Sequence, residues 1–89
     1  MKVSVPSDIR IDIYSRPGCH LCDEAKVIID RVRKRHPFTL RVINIAEDPA
    51  LESAYGTEIP VVFINGTKAF KYHVDECELE QKVKRLWKG

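Results

Sequence analysis

The sequence is poor in the residues that mark specialised chains: one tryptophan, one methionine, four glycines and three cysteines among 89 residues. Three cysteines are too few for a disulfide-stapled secreted scaffold, and two of them share the close spacing of an active dithiol. A reducing compartment, the cytoplasm, is therefore the expected address. No apolar run reaches signal-peptide or membrane length, and the N-terminal residues carry one lysine and then alternate polar and apolar, so no membrane role is expected. Neither sign of charge dominates, since 15 Lys and Arg against 13 Asp and Glu leave a formal charge of +2. The basic run Arg31, Arg33, Lys34, Arg35 is answered by Asp75, Glu76, Glu78 and Glu80. With no aromatic or helical reading surface beside that run, nucleic acid is not an expected partner. No repeat, linker or low-complexity stretch divides the chain, and its length buries one modest core. A single domain over residues 1–89, acting as a monomer, is the expectation.

What is present is periodicity. Ile9, Ile11 and Ile13 alternate with Arg10 and Asp12, which predicts a strand from Ile9 to Tyr14 ended by Pro17-Gly18. From Cys19 to about Arg35, Leu21, Cys22, Ala25, Ile28, Ile29 and Val32 recur at intervals of three and four, the pattern of an amphipathic helix stopped by His36-Pro37. A second strand is predicted over Phe38–Ile45 through Phe38, Leu40 and Val42. Strand, full helix and strand in succession make a βαβ unit with parallel strands.

Asp48-Pro49-Ala50 opens a short helix to about Tyr55, with Pro49 in its first turn and Gly56 at its exit. Pro60-Val61-Val62-Phe63-Ile64 reads as a strand covered on both faces, and Asn65-Gly66 turns it into an antiparallel partner over Lys68–Tyr72. A last helix is expected from Asp75, its cap, to Trp87, with Leu79, Val83 and Leu86 as the core stripe and Cys77 partly buried in its first turn. The order βαβαββα implies an α/β fold, a four-stranded mixed sheet flanked by three helices.

The chemistry concentrates in Cys19-His20-Leu21-Cys22, two thiols at the point where a strand hands over to a helix. A thiol attacks as its thiolate, and the unpaired N–H groups and dipole of a helix N-terminus favour negative charge there. Cys19 is thus the expected nucleophile. Cys22, one turn further in, is the expected resolving thiol, less open to a substrate. His20 is either a donor that steadies the thiolate or a surface residue in a turn. Arg16 either holds an acidic group of a thiol substrate or is a solvated loop residue. Pro17 and Gly18 set the loop geometry and clear space before the sulfur. Tyr14 and Tyr55 shape the thiol pocket or cover the core.

Ile59-Pro60 precedes a continuous strand. A cis bond there would let the Ile59 backbone face the cysteines and pair with an extended ligand, and a trans proline at a strand start is the plainer alternative. Cys19, Cys22, His73 and Cys77 also have C-x-x-C and H-x-x-x-C spacing, which makes a Cys/His zinc-binding module a competing reading.

Three segments carry a resemblance: Ile11 to Cys22, Glu58 to Gly66, and the final helix. In these the chain resembles the glutaredoxin branch of the thioredoxin superfamily, most closely small bacterial glutaredoxin-like proteins with a Gly-Cys-x-Leu-Cys dithiol loop. The resemblance implies a thioredoxin-like, glutaredoxin-type fold and a thiol–disulfide oxidoreductase with no bound cofactor. It also implies that Cys19 attacks, Cys22 resolves, Pro60 is cis, and Arg16 contacts a glutathione carboxylate, with His20, Ile59 and Asp75 completing the substrate site. Protein disulfides or glutathione mixed disulfides are the implied substrates, glutathione the candidate cosubstrate, and a thioredoxin-reductase type donor the alternative. Two departures stand out. Where glutaredoxins usually carry a Gly-Gly pair after the hairpin, this chain has Phe70-Lys71-Tyr72-His73-Val74, with bulk that would narrow the groove. Where a small residue usually lies two before the proline, it has Glu58.

Overall fold

The computed structural model describes residues 9–86. Strand β1 (Arg10–Ser15) leads through helix α1 (His20–Arg35) to β2 (Thr39–Asn44), followed by a 3-10 turn (Ile45–Glu47) and the short helix α2 (Pro49–Tyr55). The hairpin β3 (Val61–Ile64) and β4 (Thr67–Lys71) comes next, and α3 (Glu76–Leu86) closes the described chain. The sheet order is β2-β1-β3-β4, with β1 parallel to β2 and antiparallel to β3. This is the thioredoxin-like βαβαββα topology.

Strand periodicity divides the sheet into two unlike faces. Ile11 and Ile13 of β1, Val62 and Ile64 of β3 and Phe70 of β4 pack against Ala25, Ile29 and Val32 of α1 and Leu79 and Val83 of α3. This is the main core, where each fully buried aliphatic side chain contributes about 1.5–3 kcal/mol. On the opposite face Tyr14, Tyr55 and Phe63 form an aromatic cluster with ring centroids 4.8–6.0 Å apart. The hairpin turns at Asn65 (φ 50°) and Gly66 (φ 83°), both left-handed as a two-residue type I′ turn demands. Asn65 also ties the hairpin to β1: its N–H donates to the Arg10 carbonyl, and its Oδ1 accepts the Arg10 N–H, each at 2.8 Å.

Asp12 lies on the second face and is nearly buried. Arg41, its cross-strand partner on β2, donates through Nε at 2.9 Å and Nη2 at 3.3 Å, and Arg10 approaches at 3.5 Å. The Arg41 hydrogen bond holds the Asp12 carboxyl below the usual carboxylate range, against the opposing push of burial. On the helical side, Arg31 and Arg35 of α1 pair with Glu76 and Glu80 of α3, so the basic run and acidic stretch meet across the α1–α3 seam.

Several expectations need correction. β2 stops at Asn44, because the Asn44 side chain accepts the Ala46 N–H at 2.9 Å and turns the chain out of the ladder; Ile45 is fully buried beyond the strand. Val42 is exposed on β2, an edge strand of the sheet. In α3, Leu79 and Val83 are core but Leu86 is exposed, and Cys77 is an exposed free thiol rather than a partly buried one. Phe70 belongs to the main core, so its bulk does not narrow any groove. Gly56 ends α2 with φ −55°, an ordinary helical value. Trp87, the expected helix-end packing residue, lies outside the described residues.

Candidate active site

Cys19 is the N-cap of α1, in extended conformation, and its Sγ accepts the backbone N–H of Cys22 at 3.1 Å. In this cap the sulfur takes the place that a serine or aspartate oxygen usually fills, against an N–H that would otherwise lack a partner. The two cysteines are joined as a disulfide, their Cα atoms 5.2 Å apart. Their exposures differ: Cys19 is half-buried and Cys22 has no exposed surface. The outer sulfur is thus the one within reach of a substrate.

The loop before the dithiol owes its shape to Gly18, whose φ of 80° is left-handed. A Cβ there would meet nothing within 4 Å. Conformation, not clearance before the sulfur, is therefore what requires glycine.

Cys22 packs with Ile45 and Ile59, and Cys19, Tyr14, Leu51 and Tyr55 close around them. The surroundings of the disulfide are accordingly apolar and aromatic. They draw on the end of β1, the 3-10 turn, α2 and the residue before Pro60. Leu51 and Tyr55 stand four apart on α2, so one helix face supplies both. The Ile59–Pro60 peptide bond is cis, and Pro60 is fully buried.

The remaining expected site residues are held differently. Arg16 reaches α2, where its guanidinium donates to Glu52 Oε1 and makes a longer 3.4 Å contact with the Gly56 carbonyl. Asp75 caps α3 by accepting the Glu78 N–H at 2.9 Å. His20 is exposed on the first turn of α1. Glu58, next to Ile59, is paired with Lys68 at 2.8 Å, and that hydrogen bond lowers its pKa. Tyr72, in the segment where the resemblance leads one to expect glycines, has φ 70°. Among the described residues no three His, Cys, Asp or Glu side chains are grouped to hold a metal, so His73 and Cys77 do not join the dithiol as a zinc site.

Sequence reasoning missed Glu52, Gly56, Ile45 and Leu51. The signal for the α2 residues was the i, i+4 pairing of Leu51 with Tyr55 and of Glu52 with Gly56, once Asp48-Pro49 had set the helix start. Ile45 had no comparable signal, because its apolar character extended the strand pattern.

Among curated proteins, the chain is similar to a protein named thioredoxin from Methanocaldococcus jannaschii, 31% identical over 67 residues, covering 72% of this chain and 79% of that one. It is also similar to the glutaredoxin-like protein YDR286C homolog of Dictyostelium discoideum, 34% identical over 77 residues, covering 80% and 71%. Among solved structures, protein Ne2328 from Nitrosomonas europaea superposes with a TM-score of 0.74 at 28% identity, covering 92% of this chain and 98% of that one. The shared fold and the close Cys19–Cys22 pair point to a thiol–disulfide redox function. A family model described as "Glutaredoxin-like domain (DUF836)" matches residues 10–84, and the chain belongs to that glutaredoxin-like family.

Proposed function

We propose that this chain is a single-domain, monomeric thiol–disulfide oxidoreductase of the cytoplasm that reduces protein disulfides or glutathione mixed disulfides through Cys19 and Cys22. The observation that carries the reading is the asymmetry of the pair, a half-buried cysteine at a helix N-cap and a fully buried one a turn further in. In the reduced protein the Cys19 thiolate, steadied by the Cys22 N–H and the α1 dipole, attacks a substrate disulfide. A Cys19–substrate bond forms, and one substrate sulfur leaves as thiolate and takes a proton from solvent. Cys22, deprotonated, then attacks Cys19 Sγ. The Cys19–Cys22 disulfide closes, the second substrate thiolate departs, and two electrons have passed to the substrate. Two glutathione thiols or one protein dithiol return the electrons.

A second reading, protein-dithiol exchange independent of glutathione, is favoured by a separate observation. Arg16, the residue expected to contact a glutathione carboxylate, is already engaged by Glu52. The test is to present the oxidised protein with glutathione and, in parallel, with a thioredoxin-type reducing system, using wild type, Cys19→Ser and Cys22→Ser. Rapid reduction by glutathione supports the first reading, and reduction only by the enzyme-coupled system supports the second. Reduction by neither contradicts both.

A further inference from the structure

We propose that Glu52 is a specificity-determining residue, a built-in carboxylate that occupies Arg16 and holds anionic thiols away from the Cys19–Cys22 disulfide. The inference rests on the thiol-exchange reading above and adds to it the class of ligand the site prefers.

Arg16 is the cation nearest the dithiol along the chain, three residues before Cys19 on the same loop. Arginine presents a planar fork of donors suited to a carboxylate, and here the carboxylate comes from the protein itself. Glu52 belongs to α2, the helix whose Leu51 and Tyr55 pack with the dithiol cluster, so the ion pair ties the loop before Cys19 to that helix. Gly56 completes the clasp. Its carbonyl receives the second Arg16 contact, and a Cβ on it would lie 2.5 Å from the Glu52 carbonyl and 2.6 Å from Glu52 Oε1. The bare α-carbon leaves room for the Glu52 side chain to fold back over the helix end to meet Arg16.

A second such pair joins Lys68 to Glu58, the residue before Ile59. With Arg16 and Lys68 each paired to a carboxylate of the chain and the sulfurs ringed by Tyr14, Leu51, Tyr55 and Ile59, the site suits uncharged or apolar thiol partners, such as an extended protein segment. A ligand with a free carboxylate must compete with Glu52 for Arg16. Both partners are partly exposed, with side-chain accessibilities of 42% and 38%, so the barrier is modest and reversible.

The step to measure is attack of a small thiolate on Cys19 Sγ of the oxidised protein. The Cys19–Cys22 bond breaks and leaves a Cys22 thiolate. A second thiolate then cleaves the mixed disulfide, releasing the Cys19 thiolate and the oxidised small-molecule disulfide, so two electrons pass to the protein. Rate constants for reduction by glutathione (net anionic), 2-mercaptoethanol (neutral) and cysteamine (cationic) are compared in wild type, Glu52→Gln, Arg16→Gln and the double variant. Ratios between thiols within one variant cancel differences in folded fraction.

Glu52→Gln is expected to raise the glutathione to 2-mercaptoethanol ratio about three- to fivefold, the ceiling for an exposed ion pair. The cysteamine ratio should not rise, and Arg16→Gln should abolish the gain. An unchanged glutathione ratio overturns the proposal. So does a gain that persists without Arg16, because the effect would then be a general field and not release of the arginine. If no thiol reduces the disulfide in any variant, the thiol-exchange reading falls; if 2-mercaptoethanol reduces it and the ratios do not move, only the role of Glu52 falls.

Discussion

Tyr72 donates its backbone N–H to the Pro60 carbonyl at 2.9 Å while holding a φ of 70°, the conformation in which a Cβ is crowded and glycine is not. The segment following the hairpin therefore keeps a left-handed turn without the glycines expected there. The cost falls on the Tyr72 backbone, and the N–H bond to Pro60 helps to hold the turn in place.

Tyr72→Gly relieves that crowding and retains the N–H donor, whereas Tyr72→Val adds a branch at the crowded Cβ. The glycine variant is expected to be more stable than the valine variant by about 1–2 kcal/mol in urea unfolding. Equal midpoints would show that the turn carries no steric cost.

Asp12 is the buried carboxylate of β1, and its ties to Arg41 and Arg10 all depend on its charge. Asp12→Asn keeps the volume and loses the charge-assisted bonds. A destabilisation of about 1.5–3 kcal/mol is expected by chemical denaturation, with the far-ultraviolet spectrum retained. A loss below about 0.3 kcal/mol would place the pair among inert surface contacts.

Acid should weaken the fold. The hydrogen bond from Arg41 lowers the pKa of Asp12, that from Lys68 lowers Glu58, those from Arg35 and then Arg31 lower Glu76, and that from His36 lowers Glu80. Each folded value lies below its unfolded one, so the unfolded chain binds more protons as pH falls. The stabilisation is present in full above the ordinary carboxylate range, around 4, and is lost as pH drops through the depressed folded values. Thermal midpoints should decline progressively once the pH falls below about 5. A midpoint that rises on acidification from 5 to 3 would contradict this assignment.

The three thiols should separate by accessibility. In the oxidised protein a maleimide should modify Cys77 alone, because it is the exposed free thiol and the other two are paired. After reduction Cys19 should react at least about tenfold faster than Cys22, read by peptide mass after short exposure, since its sulfur is both reachable and capped by an N–H. Equal labelling of Cys19 and Cys22 would remove the distinction between attacking and resolving thiols.

Much of this was legible in the chain because local rules agreed with the global fold. Alternating isoleucines marked β1, the three-four spacing from Leu21 to Val32 marked α1, Asp48-Pro49 set α2, and Asn65-Gly66 set the hairpin, though not the shift of register between Val62 and Phe63. Cys19 at the N-cap followed from the same logic. What escaped depends on contacts distant in sequence. Ile45 carries a strand-like side chain, yet the Asn44 cap diverts it under the dithiol. Leu86 continues the helical stripe of Leu79 and Val83 but stays exposed, lining an open pocket with Ile64 and Ala69 of the hairpin. Arg16 and Glu52, 36 residues apart, meet only because α2 returns beside the dithiol loop. Periodicity reports the face a residue presents, and not what the rest of the chain sets against that face.

The central claim is that Cys19 makes the first bond to substrate and Cys22 breaks it. Cys22→Ser in a Cys77→Ser background, which removes the exposed free thiol, should when reduced and mixed with a protein disulfide accumulate a one-to-one mixed disulfide whose substrate linkage, located by peptide mass, is at Cys19. Cys19→Ser under the same conditions should accumulate none. An adduct on Cys22 of the Cys19→Ser variant, formed as fast and in the same yield, would contradict the assignment.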